Sequence, residues 1–218
     1  MTTYSDRLFV PVQTLGPTQC VVGMRAVAVK RRKLEIRLRN SNIENYLSDR
    51  PIPAVRGPAG QLYIIDSHHL GLALWQAEVR EAYVQVIDDL SGLSQDDFWN
   101  RMEAAGRLYL FDEKGQRINP SQLPMRLHAL RDDPYRDLAQ SLRQEGGFKK
   151  NRAPYSEFCW ANFLRTRIAS RIVKADYAAA VRQAIALARA PEAANLPGFS
   201  SLDRTWLALC GSPCKTTN

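Results

Sequence analysis

A chain of 218 residues is long enough for one substantial domain, or for one domain with a helical extension. Its apolar content of 45% provides for a packed core, and no run approaches the roughly 18 apolar residues of a membrane span, so no membrane partner is expected. The net charge of +8 either attracts phosphate-rich partners or keeps the surface solvated, and says nothing about fold.

Residues 1–7 lack the basic-then-apolar order of a signal peptide, so a cytoplasmic location is expected. The four cysteines are Cys20, Cys159, Cys210 and Cys214. Only the last two are close, and a zinc site needs about four suitably spaced ligands. Reduced thiols are the simpler account.

Leu8-Phe9-Val10-Pro11-Val12 reads as a strand, with Pro11 pushing it to a sheet edge. Gly16-Pro17-Thr18-Gln19 signals a turn. From Val21 to Arg37 the apolar spacing turns helical, and Lys30, Arg31, Arg32, Lys33 and Arg37 make this the most basic segment. Such a face either lies on nucleic acid or is simply solvated. A short helix over Asn42–Leu47 should follow, then strands at Ile52–Arg56 and Gln61–Ile65 joined by Gly57-Pro58-Ala59-Gly60.

Strand passes directly into helix at Leu62-Tyr63-Ile64-Ile65-Asp66-Ser67-His68-His69-Leu70. Asp66 and Ser67 are both suitable caps, because their side-chain oxygens can accept from free N–H groups of a first helical turn. Leu70, Leu74 and Ala77 fall at i, i+4, i+7, and the helix should run to about Arg80. His68 and His69 then lie in the first turn, at the positive end of the helix dipole. Three readings are open for them. They can donate to phosphate oxygens beside the N–H groups. They can bind metal, although neighbours on a helix point about 100° apart. Or they can be structural, with one imidazole packed inward.

Ala82–Ile87 should be a strand, and Ser94–Gly106 a helix capped by Ser94. Tyr109-Leu110-Phe111 suggests a strand and turn leading to Ile118. Beyond Leu123 the composition is helical, with helices from Pro134 to Gly146-Gly147, Pro154 to Arg171 and Ala175 to Ala190, and a tail after Leu202–Leu209. Strands with short helices followed by a mostly helical half make an α+β fold. The expected division is a core over 6–120 and a helical extension over 121–210.

Three groups carry a resemblance: Val10-Pro11-Val12 with Gly16-Pro17-Thr18-Gln19, then Ile52-Pro53-Ala54-Val55, then Ile65-Asp66-Ser67-His68-His69-Leu70. In this order they resemble the ParB/sulfiredoxin superfamily, and within it the ParB-like nuclease group. Asp133-Pro134-Tyr135-Arg136, Gly146-Gly147-Phe148 and Pro154-Tyr155-Ser156-Glu157-Phe158-Cys159-Trp160-Ala161-Asn162-Phe163 extend the similarity to about residue 170.

The resemblance implies a small mixed sheet with flanking helices and a pocket for nucleotide phosphates at the histidine turn. ATP or another nucleoside triphosphate would be the cofactor, held by Ser67, His68 and His69, with Gln19, Lys149 and Lys150 nearby. Asp66 would hold magnesium, and Asp66, His68, His69 and Glu157 would be catalytic. Asp66 can instead serve as a helix cap, and Glu157 as a member of an ion pair. ATP hydrolysis with DNA binding, and DNase activity as a further option, would follow, with DNA on Lys30, Arg31, Arg32, Lys33 and Arg37. A homodimer is a further expectation. The alternatives are a non-catalytic DNA- or protein-binding module and a small-molecule kinase.

The departures from the superfamily are specific. Serine-kinase relatives read Asp-Gly-His-His-Arg, whereas here Ser67 and Leu70 replace the glycine and the arginine. Their catalytic glutamate corresponds to Gln19, and an amide cannot act as a general base at neutral pH. Sulfiredoxins place a cysteine where Ser67 stands, and the Gly-Glu-Arg-Arg motif of DNA-clamp proteins is absent.

Overall fold

The computed structural model describes residues 6–151, 153 and 155–200. The tail after Leu202 lies outside them. The chain divides into two compact units after Asp137, not near residue 120. The segment up to Asp137 stays with the first unit because Arg131–Asp132 pairs with Val21–Val22, and Leu127 and Leu130 enter its core.

The first unit is built on a five-stranded mixed sheet. Its strands are β1 (Asp6–Pro11), β2 (Gly16–Pro17), β4 (Ile52–Arg56), β5 (Leu62–Ile64) and β6 (Glu81–Asp89), in the order β1-β6-β4-β5-β2. β1 is an edge strand, as Pro11 requires, and pairs antiparallel with β6. β6 runs parallel to β4, β4 antiparallel to β5, and β5 parallel to β2. The turn Gly57–Gly60 closes the β4–β5 hairpin, with Gly57 N–H donating to Gln61 O at 2.8 Å. Along β6, Ala82, Val84 and Val86 are buried on one face, the period of two that the sequence shows. A separate two-stranded ladder joins β3 (Val21–Val22) to β7 (Arg131–Asp132).

Helices α1 (Met24–Arg39) and α3 (His68–Gln76) pack on one another beside the sheet. Leu34 and Val27 of α1, and Leu70, Leu72 and Leu74 of α3, join Ile52, Ile64 and Val84 in the core. Helix α2 (Ile43–Ser48) precedes β4. Helix α4 (Gln95–Ala104) starts where expected, the Ser94 side chain accepting from Asp97 N–H.

Some boundaries depart from the sequence reading. α1 begins at Met24, because Val21 and Val22 are spent on the ladder with β7. α3 stops at Gln76, where Glu78 takes a φ of 56°. There Val79 N–H reaches Leu74 O and Glu78 N–H reaches Trp75 O, a Schellman closure without glycine. Tyr109–Phe111 forms only isolated bridges, Gln19 to Tyr109 and Phe111 to Arg117.

The second unit is helical. Helix α5 (Pro134–Gln144) crosses the division, and Gly147 follows it closely enough that a Cβ there would lie 2.1 Å from Leu142 Cδ1. The long helix expected over Pro154–Arg171 is two, α6 (Ser156–Arg165) and α7 (Ser170–Ala175), and α8 (Tyr177–Ala188) follows. Phe148 stacks on Trp160 at 4.6 Å between ring centroids, and the indole N–H donates to Pro197 O at 2.8 Å. Every described element fits an α+β architecture with a helical second part.

Candidate functional site

The β5–α3 junction is where the expected residues meet. Ser67 sits in the left-handed region at φ 63°, and its side chain caps nothing. The Asp66 carboxylate accepts from Ser67 N–H, so it braces the turn and does not cap the helix. The first intrahelical bond is Gly71 N–H to Ser67 O at 2.9 Å. Among the described residues, the N–H groups of His68, His69 and Leu70 make no hydrogen bond. They carry the partial positive charge of the helix start.

Both imidazoles turn back into the protein. His68 is 4% exposed, and its Nε2 accepts from Thr18 N–H at 3.1 Å. His69 Nε2 accepts from Gly23 N–H at 3.2 Å. A backbone N–H can only donate, so each Nε2 must be unprotonated. Burial first of all pushes both rings down to about 3, helped for His68 by His69 and Arg136, and for His69 by Arg136 and Lys30. The expectation that these rings donate to phosphate is therefore corrected. They are neutral acceptors that fasten the 16–23 loop to the start of α3, and the Thr18 hydroxyl, donating to Ile64 O at 2.9 Å, completes the fastening.

Positive charge nevertheless gathers here. Arg136 is only 6% exposed and close enough to depress both imidazoles. Lys30 is half-buried, and burial above all lowers its pKa, with Lys33 adding to the effect and Asp66 opposing it. Asp66 itself is exposed.

The start of α1 is different. Asp137 accepts from Arg25 N–H and Ala26 N–H, each at 2.9 Å, and Asp132 accepts from Met24 N–H at 3.0 Å. Gly23 makes room for this, since a Cβ there would lie 2.2 Å from Asp137 Oδ1. Burial raises the Asp137 pKa, against those two N–H bonds. Asp133 braces α5, accepting from Tyr135 N–H at 3.0 Å. The Asp133–Asp137 run thus supplies caps and one buried cation.

The other expected residues divide between the two units. Gln19 is buried, with Nε2 donating to Val21 O at 2.7 Å, so it supports the loop. Glu157 pairs with Arg143 at 3.0 Å within the second unit. Lys149 and Lys150 are exposed residues of that unit. On α1, Arg31, Arg32 and Lys33 are exposed, and Arg31 pairs with Glu35 at 3.3 Å. Arg37 and Arg50 both lie over the Tyr46 ring, at 4.3 and 4.4 Å from its centroid.

Thr18 and Arg136 stand in motifs that carry the resemblance but were given no role, and Gly23 and Asp137 were not picked out from the sequence. Nothing in the spacing signals that Asp137 closes a helix more than a hundred residues upstream. Cys20 and Cys159 are free thiols, and His128 is exposed beside Trp75, 5.3 Å between ring centroids. No group of three or more metal-ligating side chains occurs among the described residues, and none of their helices is long and apolar enough to cross a membrane.

Comparison with known proteins agrees with this architecture. The crystal structure of protein Atu1540 from Agrobacterium tumefaciens is similar at a TM-score of 0.84 and 35% identity, over 91% of this chain and 98% of that one. No curated protein matches. A family model described as "Putative ParB-like nuclease" matches residues 8–166, which take in the sheet, the histidine turn and α6. The chain belongs to this ParB-like nuclease family.

Proposed function

We propose that the protein binds DNA and holds the phosphates of a nucleotide, ATP or another nucleoside triphosphate, at the first turn of α3. One observation carries this reading: the N–H groups of His68, His69 and Leu70 have no carboxylate cap, while Lys30 and Arg136 add positive potential around them. Such a turn suits phosphate oxygens. Asp66 fits a magnesium ion, which takes one or two carboxylates and completes its shell with phosphate oxygens and water. Bound there, magnesium would neutralise phosphate charge. DNA would lie along Arg31, Arg32 and Lys33, with Arg37 pre-ordered by its stacking on Tyr46.

Hydrolysis of a phosphoanhydride or phosphodiester is the finer part of this reading. It would rest on electrostatic stabilisation at the α3 turn, because the imidazole acceptor positions are already used and Gln19 is no base. Those same two facts favour a second reading, a DNA-binding member that has kept the fold without the chemistry.

Thermal unfolding with ATP and magnesium tests the nucleotide. The melting temperature should rise with ligand, and Lys30→Ala should weaken the apparent affinity about tenfold. A melting temperature indifferent to ATP, ADP and CTP would remove the nucleotide from the proposal. For DNA, replacing Arg31, Arg32 and Lys33 by alanine should lower the slope of log affinity against log salt by roughly 2 to 3. An unchanged slope would move DNA off α1. Product analysis with ATP and with plasmid DNA then separates the two readings, since only the enzyme turns either over.

A further inference from the structure

A cleft of about 620 Å³ lies apart from the histidine turn, lined by residues of β2, β5, α4 and the 119–126 segment. Its aromatic side is Tyr63 and Trp99, edge to face at 5.1 Å and 73°, with Phe98 behind both at 4.9 and 4.7 Å. Tyr63 is held from two directions. A Cβ on Gly16, its partner across the β2–β5 pair, would lie 2.9 Å from Tyr63 Cδ1, and one on Gly57 would lie 2.8 Å from Cε2. The two glycines let the backbone close on the ring, so the platform is ordered before any ligand arrives.

The rest of the lining is mixed, with Pro17, Pro120, Leu123, Pro124 and Met125 apolar and several planar polar groups between them. Gln95 and Asn100 present planar amides, and Asn119, whose Oδ1 accepts from Ser121 N–H and from the Ser121 hydroxyl at 3.1 Å, presents its amide N–H groups. Arg126 is anchored through Nη1, to Gln61 Oε1 at 3.0 Å and Met125 O at 2.9 Å. Its Nη2 and Nε make no hydrogen bond among the described residues. The charged lining residues are Arg126 and Asp96, of opposite sign, so the cleft does not select for a strongly charged ligand.

Half-buried aromatic rings, the Asn100 amide with a donor and an acceptor in one plane, the N–H groups of Asn119 and a single anchored guanidinium suit a flat heterocycle with donors and acceptors on its edge. We propose that this cleft binds a nucleobase, stacked on Trp99 and contacted at its edge by Asn100, Asn119 and Arg126. The proposal rests on the reading of the chain as a DNA-binding protein for one of its two sources, a base of single-stranded DNA. The other source is a free nucleotide.

The test is fluorescence anisotropy of the full chain with a short labelled single strand, and with an abasic strand of the same phosphate number. The base-bearing strand should bind about tenfold tighter, the effect of one stacked base. Trp99→Ala should erase that preference and leave the abasic affinity unchanged, while Trp99→Phe should keep most of it. Should Trp99→Ala fold poorly by circular dichroism, Asn100→Ala serves, with a smaller loss on the base-bearing strand alone. Equal affinity for both strands would overturn the proposal and leave phosphate binding standing. If neither strand binds, the DNA reading fails on its own, and the indole N–H signal of Trp99, assigned from Trp99→Phe, decides. A shift on titration with adenosine or cytidine monophosphate supports the free nucleotide as source, and no shift overturns the proposal.

Discussion

Two helices of the first unit begin within reach of the same loop, and their positive ends are treated in opposite ways. At α1, Asp132 and Asp137 occupy three N–H groups. At α3, Ser67 contributes no cap and the histidines point their acceptors elsewhere. The first arrangement neutralises a helix start from inside the protein, and the second leaves one without a carboxylate. A positive helix end is common, so what marks a candidate site is that the chain's own carboxylates leave it open.

Acid should expose the contrast most strongly. The imidazoles have folded pKa values near 3 against an ordinary 6.5. Between those values the unfolded chain binds more protons, so their contribution is full above pH 6.5 and is lost as pH falls towards 3. Asp137 works the other way: its raised folded value means the native state binds the extra proton, which favours folding as pH falls through that window. Denaturant unfolding at pH 6.5 and pH 4 should show a loss on the order of a few kcal/mol. His68→Gln with His69→Gln, which keeps an acceptor without a titration, should flatten it. Parallel curves for the two proteins would mean the histidines are not held neutral.

Breaking the closed helix start comes next. Asp137→Ala should cost about 3 kcal/mol, as expected for a charged acceptor lost from buried N–H groups. Gly23→Ala should cost a similar amount, because its Cβ would overlap the carboxylate. Both act on one cap, so the double variant should be far less destabilised than the sum. Additive losses by denaturant titration would show that the glycine serves another purpose.

The smallest effect belongs to the open start. Ser67 is a left-handed residue whose side chain forms no cap, so Ser67→Gly should relieve strain, offset in part by the freer unfolded chain. A stabilisation of up to about 1 kcal/mol is expected in the same titration. A loss beyond that would mean the hydroxyl has a partner in solution.

Much of this could be read along the chain. The alternation of Ala82, Val84 and Val86, the Ser94 cap, the hairpin glycines and the position of the histidine turn are local features, and each appears where the pattern puts it. What stayed hidden is carried by pairs far apart in sequence. Val21 and Val22 fit a helical period yet form a strand, because Arg131 and Asp132 pair with them. α3 ends early through Glu78, a residue type that gives no stop signal. The histidines were legible as important and mistaken in direction, since spacing on a helix does not say that a loop fifty residues upstream will cover them. Glu157, Lys149 and Lys150, read from an acid in a motif and from a charge cluster after a glycine pair, lie in the second unit.

The cap on α1 has a consequence during synthesis. Asp137 closes Arg25 N–H across 112 positions, and Asp132 closes Met24 N–H across 108. A nascent chain therefore exposes the first turn of α1 until the codon for Asp137 has been translated and its residue has cleared the ribosome. Ribosome-stalled chains ending before that point should be cut by protease near Gly23, and longer ones should resist.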